Sequence, residues 1–214
     1  MSYNIYDLYQ RCLEAKYTTV ENNADYAIER DGTTLYLFLE WSDGAEDWKN
    51  NFRFAAKPYR DMSPKWYCHR GFLSVWKAIE PYVKDDLLDP EVTDIVIMGY
   101  SHGAAVAGIA HEWVWFNRPD IRDEHLWGYG VGAPRFFWGI LTKELKERWA
   151  HFYPIRNIDD IVTHVPPVVF GYRHVHDIVA IGANGLYNCI DAHRPQMYSA
   201  ELYAEYGSDE EEEI

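Results

Sequence analysis

The sequence contains few cysteines, and their placement excludes a fold held together by disulfides. Only three cysteines occur among its 214 residues, and they lie far apart at Cys12, Cys68 and Cys189. This odd, scattered set matches neither a disulfide framework nor a paired metal-ligand motif. The N-terminal segment also lacks the basic and apolar regions of a secretory signal. We therefore expect a chain that works in a reducing, cytoplasmic setting.

Long apolar runs and an excess of positive charge are absent as well. The most apolar stretch, residues 103–116, contains His111 and Glu112 and is shorter than the roughly 20 residues that a membrane-spanning helix needs. With 20 Lys and Arg against 34 Asp and Glu, the net charge is −14, which disfavours binding to nucleic acid or to anionic membrane surfaces. We expect neither a nucleic-acid partner nor stable membrane insertion.

The composition that remains is that of a folded globular protein. Hydrophobic residues make up 48% and charged residues 25% of the 214 residues, a length that suits one domain with a sizeable core. We assign residues 1–206 to a single domain. Residues 207–214 carry a run of acidic side chains that repel one another, and we expect them to form a disordered tail. The sequence indicates no oligomeric state.

Hydrophobic periodicity predicts a helix, a hairpin and a second helix in the first part of the chain. Helical spacing of apolar residues indicates the first helix over residues 5–16. Residues 26–39 contain the turn pair Asp31-Gly32 followed by a β-rich arm, which is typical of an antiparallel hairpin with a buried second arm. A further helical stripe covers residues 72–83, where Pro81 is expected to kink or break the helix.

The remainder of the chain alternates between strands and helices. Asp94–Met98 is a short apolar run with β-branched residues, typical of a fully buried parallel strand, and a helix is expected directly after it. Further predicted elements are strands at 126–131, 151–155 and 175–181 and a helical stretch at 136–148. This alternation predicts the α/β class, with a mostly parallel central sheet flanked by helices and an antiparallel N-terminal hairpin.

The best candidate for catalysis is a serine between two glycines. The segment Gly99-Tyr100-Ser101-His102-Gly103 follows the buried strand and precedes a helix of small residues, so Ser101 is placed on a sharp strand-to-helix turn. Glycines are needed there because larger side chains would collide with the neighbouring strand and helix. The N–H groups at the start of a helix suit an oxyanion formed during acyl transfer. The sequence therefore predicts Ser101 as a nucleophile that uses neither metal nor cofactor.

A nucleophilic serine needs a base and an orienting carboxylate, and in this geometry both follow it in the chain. Several residues qualify, and spacing alone does not choose among them. The acid candidates are Asp120, Asp123, Asp159, Asp160, Asp177 and Asp191, and the histidine candidates are His164, His174, His176 and His193. His174 and His176 with Asp177 also admit a metal-site interpretation, which we disfavour because two ligands on one strand lack convergent partners.

Further motifs surround the serine along the chain. They are Leu39-Glu40-Trp41-Ser42 followed by Asp47-Trp48, His69-Arg70-Gly71-Phe72, Gly132-Ala133-Pro134-Arg135, residues 157–167 with Pro166-Pro167 at their end, and residues 191–198. In this order they resemble the class 3 lipases, the fungal-lipase-like branch of the α/β-hydrolases. The resemblance implies the α/β-hydrolase fold. It also implies a serine ester hydrolase that cleaves a carboxylic ester of an acylglycerol or another lipid through an acyl-enzyme.

The same resemblance implies which residues complete the site. It makes His193 the base, and it makes Asp160, rather than its neighbour Asp159, the acid. Adjacent residues on an extended segment point opposite ways, so only one of the two aspartates reaches the histidine. The resemblance also implies an oxyanion hole that combines the Ser42 hydroxyl with the backbone N–H of His102.

The chain departs from the family pattern around the oxyanion hole. Glu40 and Trp41 stand where the family has arginine and glycine, and His102 stands where it has an aliphatic residue. These departures motivate an alternative hypothesis, a hydrolase-like scaffold that binds lipid or protein without catalysis. Six aromatic residues after this strand end form either a lid and acyl-binding wall or ordinary core: Trp48, Phe52, Phe54, Tyr59, Trp66 and Tyr67.

Overall fold

The structure, a computed structural model, describes residues 3–41, 56–59, 66–122 and 124–207. Eleven strands lie in these ranges: β1 (Thr18–Val20), β2 (Ala24–Asp31), β3 (Thr34–Trp41), β4 (Ala56–Tyr59), β5 (Trp66–His69), β6 (Asp94–Tyr100), β7 (Leu126–Val131), β8 (Phe137–Trp138), β9 (Phe152–Asn157), β10 (Tyr172–Arg173) and β11 (Val179–Ile181). The α-helices of the same ranges are α1 (Ile5–Glu14), α2 (Arg70–Leu87), α3 (His102–Asn117), α4 (Lys143–Glu147) and α5 (Pro195–Tyr206).

Seven of the strands form one central sheet, in the order β1-β2-β3-β6-β7-β9-β11. The last five of that order run parallel to one another, whereas β1 and β2 are antiparallel to their neighbours. The hairpin from β2 to β3 turns at Gly32, whose φ of +58° suits glycine. The predicted α/β class, with a mostly parallel sheet and an antiparallel N-terminal hairpin, is confirmed.

Side chains alternate between the two faces of the sheet, and a pair of helices covers each face. On β3, Leu37 points into the core that the sheet shares with α2 and α3. The next residue, Phe38, points into the opposite core, which includes Leu8 of α1 and Leu202 of α5. The helix α3 is buried along most of its length, which explains why its sequence is apolar on every side.

A second, antiparallel sheet has the order β10-β8-β5-β4 and shares the core of α2 and α3. Its interior is aromatic, with the rings of Trp66 and Trp149 in edge-to-face contact at 5.0 Å. Tyr59 is buried beside Trp66, so both are core residues rather than parts of a lid, whereas Tyr67 is exposed. The other three aromatic residues of that group lie outside the described residues: Trp48, Phe52 and Phe54.

The predicted break at Pro81 is wrong, because α2 continues through this residue to Leu87. Pro81 lies on the exposed side of the helix, where water can bind a backbone carbonyl that a proline leaves without an amide donor. The helix begins where Nδ1 of His69 accepts a hydrogen bond of 3.2 Å from the backbone N–H of Gly71. This cap anchors the first turn of α2 to the end of β5.

The helical stretch predicted over 136–148 and the strand predicted over 175–181 are each only partly right. In the first, Phe137 belongs to β8 because it pairs with Cys68 of β5 and Arg173 of β10, and the helix α4 begins only after Thr142. In the second, only β11 is a strand. The residues before it carry the chain from β10 in the second sheet to β11 beside β9 in the central one, and they pair with no strand of the described residues.

Both hydrophobic cores lie against the same central sheet. In the part of the chain that the structure describes, no helix combines the length and the apolar character needed to cross a membrane. The assignment of residues 1–206 to one domain stays a prediction. The predicted acidic tail also stays one, because residues 208–214 lie outside the described ranges.

Candidate active site

Ser101 lies on a sharp turn between the end of β6 and the start of α3. Its backbone has a φ of 55° and a ψ of −119°, and such a positive φ is strained for a residue other than glycine. The turn is tight, since a Cβ on Gly99 would lie 2.3 Å from the carbonyl oxygen of Gly103, and a Cβ on Gly103 would lie 2.0 Å from that of Leu39. The two glycines therefore allow the turn that presents the serine at the carboxyl edge of the sheet.

The side chains of Ser101, His193 and Asp160 form a continuous chain of hydrogen bonds. Oγ of Ser101 lies 2.8 Å from Nε2 of His193, and Nδ1 of His193 lies 2.8 Å from Oδ2 of Asp160. The aspartate side chain is fully buried, whereas the histidine side chain is 12% exposed. Because Nδ1 donates to the carboxylate, Nε2 of the neutral imidazole accepts from the hydroxyl. The arrangement can move a proton from serine to histidine.

The Asp160 carboxylate is held by more donors than the histidine alone. The phenol of Tyr198 donates to Oδ2 at 2.6 Å, and the backbone N–H of Val162 donates to Oδ1 at 2.8 Å. The same phenol oxygen accepts the backbone N–H of Asn157 at 3.1 Å. Burial, and then the charge of Asp160, raise the pKa of Tyr198 well above its usual value, so the phenol stays protonated and keeps donating.

The His193 ring is also positioned by its neighbours. The ring of Tyr100 stacks on it with a centroid separation of 5.4 Å and an interplanar angle of 23°, and the Tyr100 hydroxyl donates to the backbone carbonyl of His193. Gly132 has a φ of +64°, and a Cβ there would lie 3.1 Å from Cε1 of the imidazole. The sequence predicts no role for Tyr100 or Tyr198, although Tyr100 lies between Gly99 and Ser101 and Tyr198 ends the motif of residues 191–198.

The region beside the serine where an oxyanion would form is described only in part. The first residue of α3, His102, packs its imidazole against Phe72 at 4.7 Å, and Ser42 lies outside the described residues. The end of β3 packs closely against the start of α3, at Gly103. There Glu40 is half-buried opposite Asp25 of β2, and burial, followed by the charge of Asp25, raises the pKa of Glu40.

Comparison with protein families decides the relationship of this chain to known proteins. A family model described as Lipase (class 3) matches residues 37–170, which is more than half of the sequence. The chain belongs to the class 3 lipase family. A secreted mono- and diacylglycerol lipase of Fusarium solani is 30% identical over 148 residues, which are 65% of this chain and 41% of that relative. A lipase of Rhizopus niveus is 27% identical over 145 residues, which are 66% of this chain and 37% of that relative.

Solved structures of lipases share the fold of this class 3 family member. The propeptide complex of Rhizomucor miehei lipase matches with a TM-score of 0.67 and 19% identity, over 90% of this chain and 68% of that one. Lipase II from Rhizopus niveus matches with a TM-score of 0.66 and 22% identity, over 78% and 64%. The fold is therefore that of the α/β-hydrolases. This chain spans about two fifths of the length of the curated relatives it matches.

Within this class 3 lipase fold, the rival candidates for acid and base bind other partners. Asp159 accepts hydrogen bonds from the backbone N–H groups of Gly185 at 2.9 Å and Tyr187 at 3.0 Å. His174 donates from Nε2 to the carbonyl of Thr163 at 2.9 Å. Four further candidates pair elsewhere, namely His164 with Arg156, His176 with the Asp177 carbonyl, Asp120 with Arg118 and Asp191 with Arg194.

Asp123 lies outside the described residues. Among the residues that the structure does describe, no group of three or more histidine, cysteine or carboxylate side chains is arranged to hold a metal ion. The sequence His174 to Asp177 is not a strand, so its two histidines do not share a strand face in the way its alternation suggested.

Proposed function

We propose that this chain is a serine ester hydrolase that acts on acylglycerols through an acyl-enzyme on Ser101. The observation that carries the proposal is the pair of 2.8 Å hydrogen bonds that link Ser101 to His193 and His193 to Asp160. Membership of the class 3 lipase family supports the reaction class. The name of the Fusarium solani relative, a mono- and diacylglycerol lipase, supports the substrate class.

The proposed reaction needs only side chains of this protein and water. His193 takes the hydroxyl proton through Nε2 while Oγ of Ser101 attacks the ester carbonyl. The tetrahedral intermediate collapses, the C–O bond to the alcohol breaks, and His193 returns the proton to the leaving alkoxide. Water then attacks the acyl-enzyme with the same histidine as base. The bond between Oγ of Ser101 and the acyl carbon breaks, His193 returns the proton to Oγ, and the fatty acid is released. Asp160 holds the imidazole tautomer and stabilises the imidazolium.

Two donors are proposed to hold the oxyanion of the tetrahedral intermediates. The first is the backbone N–H of His102, because N–H groups in the first turn of a helix have no acceptor within the helix and carry its positive dipole end. Burial, with a contribution from His69, lowers the pKa of the His102 imidazole to about 3, so this side chain brings no charge to the site. The second donor is the Ser42 hydroxyl, which the family pattern supports.

The proposal is tested by replacing the nucleophile. Ser101→Ala is expected to lower kcat/KM by about 10³-fold or more, because no other group supplies the attacking oxygen. The measurement is hydrolysis of a p-nitrophenyl ester in solution and of a diacylglycerol emulsion. Ser74→Ala, at an exposed serine of α2, is the matched control and keeps full activity. Undiminished hydrolysis by a folded Ser101→Ala protein would contradict the assignment.

A hydrolase-like scaffold without catalysis is the second candidate, and Glu40 motivates it. A carboxylate at the end of β3, next to the turn that carries Ser101, disfavours a negative oxyanion nearby. An active-site fluorophosphonate probe separates the two functions. Stoichiometric labelling of the wild type and none of Ser101→Ala supports the hydrolase, whereas a folded wild type that resists the probe supports the scaffold.

We also propose that the protein works in a reducing compartment, as the cytoplasmic expectation requires. Cys12 and Cys68 are buried and Cys189 is exposed, and all three are free thiols. An exposed thiol is prone to oxidation outside such a compartment. The Fusarium solani relative is named a secreted enzyme, so the two locations need a direct test. Recovery of the full-length protein in the culture medium rather than in the cell extract would contradict the proposal.

A further inference from the structure

A cleft of about 690 Å³ lies between α4 and the segment that follows β10. This volume falls in the range of clefts that bind small ligands. The lining combines apolar with cationic side chains: Ile140, Leu141, Ala150 and Val175 with Lys143, Lys146 and Arg173. The proposed hydrolysis reaction uses none of these residues.

The α4 side of the cleft, where Lys143 and Lys146 lie, is separate from the serine site. Ala150, which lines the cleft, precedes the first residue of β9, whereas Asp160 follows the last one. A strand of six residues spans about 20 Å, so α4 lies at the edge of the sheet opposite the carboxyl edge where Ser101 is found. A ligand held beside α4 therefore leaves the serine accessible.

The charge of the cleft differs from that of the whole chain. Three cations line it against two carboxylates, those of Glu147 and Asp177, in a protein whose net charge is −14. Within the described part of the chain, Lys143, Lys146 and Arg173 form no ion pair. Arg173 donates from Nε to the carbonyl of Gly139 at 3.0 Å, which fixes the guanidinium while using one of its five donors. The lining thus carries one more positive than negative side chain, which favours an anion.

The apolar part of the lining narrows the ligand class. Ile140 is 82% exposed, and an aliphatic side chain so exposed gains free energy when an alkyl chain covers it. Leu141 is half-buried beside it. An inorganic anion can pair with the cations but cannot cover these aliphatic side chains. A neutral lipid can cover the aliphatic side chains but cannot pair with the cations. An amphiphilic anion satisfies both.

We propose that this cleft binds the carboxylate of a free fatty acid, with the head group between Lys146 and Arg173 and the alkyl chain against Ile140 and Leu141. This ligand belongs to the same chemical class as the acid that the proposed hydrolysis releases. The link to that product rests on the proposed function, but the binding itself does not.

The test measures binding without turnover. Octanoate is titrated into the Ser101→Ala protein by isothermal calorimetry, with octanol and inorganic phosphate as probes for the apolar and the charged half of the ligand. Octanoate is expected to bind at least about tenfold more tightly than either probe, because only it makes both kinds of contact. Phosphate binding as tight as that of octanoate would contradict the inference that the ligand is amphiphilic. The absence of octanoate binding would contradict the proposed site itself.

Charge reversal locates the binding. In the Ser101→Ala background, Lys146→Glu with Arg173→Glu is expected to weaken octanoate binding about tenfold or more. Lys16→Glu with Lys84→Glu makes the same change in net charge at exposed lysines outside the cleft, and it leaves the affinity unchanged. Equal affinity in the two double variants would overturn the proposal, since the ligand would then bind elsewhere. Lys146→Ala replaces the double variant if the latter does not fold.

Hydrogen exchange gives an independent readout. Octanoate is expected to slow exchange in peptides that cover residues 140–150 and 171–177, and protection confined to other peptides would contradict the site. A failure of the proposed function can be distinguished from a failure of the proposed cleft. A wild type that the fluorophosphonate probe does not label, but that binds octanoate with protection of these peptides, refutes the hydrolase and supports the cleft.

Discussion

The phenol of Tyr198 and the carboxylate of Asp160 are joined by a hydrogen bond of 2.6 Å between Oη and Oδ2. That carboxylate oxygen also accepts Nδ1 of His193 at 2.8 Å. The tyrosine is fully buried and is itself fixed by the backbone N–H of Asn157. Tyr198 is therefore a positioning residue that holds the proposed acid in the rotamer that meets the histidine.

Tyr198→Phe is expected to lower both activity and stability. It removes one donor from Asp160 and leaves the buried N–H of Asn157 without its acceptor, which costs about 1–3 kcal/mol of unfolding free energy. We expect kcat/KM to fall about tenfold, with KM nearly unchanged, because the ester does not contact Tyr198. Tyr203→Phe, at a half-exposed tyrosine of the same helix, is the control. Wild-type values for both quantities in Tyr198→Phe would contradict the role.

Tyr100 is expected to act on His193 mainly through its ring. Tyr100→Phe keeps the stacked ring and loses only the hydrogen bond to the histidine carbonyl, whereas Tyr100→Leu loses both. We expect kcat to fall a few-fold in the first variant and about 10²-fold in the second, since a misplaced base slows proton transfer steeply. Stopped-flow or steady-state ester hydrolysis measures the two effects. Equal losses in both variants would assign the role to the hydroxyl instead.

Gly103→Ala is expected to disrupt the turn that carries Ser101. The new Cβ would lie 2.0 Å from the carbonyl oxygen of Leu39, and two backbone segments must separate to admit it. We expect a loss of at least about 3 kcal/mol in urea denaturation. At Gly185, where a Cβ meets nothing within 4 Å but φ is +82°, alanine is expected to cost only about 1 kcal/mol. A loss at Gly103 no greater than that at Gly185 would count against the tight turn.

The protein is expected to lose stability as the pH falls below about 6.5. Burial lowers the pKa of His102 and His111 to about 3 and that of His174 to about 4. In the unfolded chain these histidines bind protons near their ordinary pKa of 6.5, so the unfolded state binds more protons at pH 5 to 6. Each group then lowers the free energy of unfolding by up to about 1.4 kcal/mol per pH unit.

Urea denaturation at pH 7.5 and pH 5.5 measures this dependence. His111→Leu removes one of these histidines and is expected to reduce the slope of the free energy of unfolding against pH. A slope in His111→Leu equal to that of the wild type would show that the buried His111 imidazole does not contribute.

The sequence alone determined the features that depend on local pattern. The apolar run before Ser101 and the two glycines around it predict a buried strand, a turn and a helix, and the structure has β6 and α3 there. The strand β7 also agrees with its predicted bounds, Leu126–Val131, and every one of its residues except Trp127 is buried. Family motifs, rather than periodicity, then named His193 and Asp160.

Only the tertiary structure decided which side chains meet. Asp159 and Asp160 are neighbours in sequence, but one turns outward to cap the loop at Gly185 and the other turns inward to His193. Tyr198 reaches Asp160 across 38 residues of chain, a separation at which sequence spacing carries no information on distance. The same reason explains why only Val179–Ile181 of the strand predicted over 175–181 is a strand, because strand formation depends on a partner strand that another part of the chain supplies.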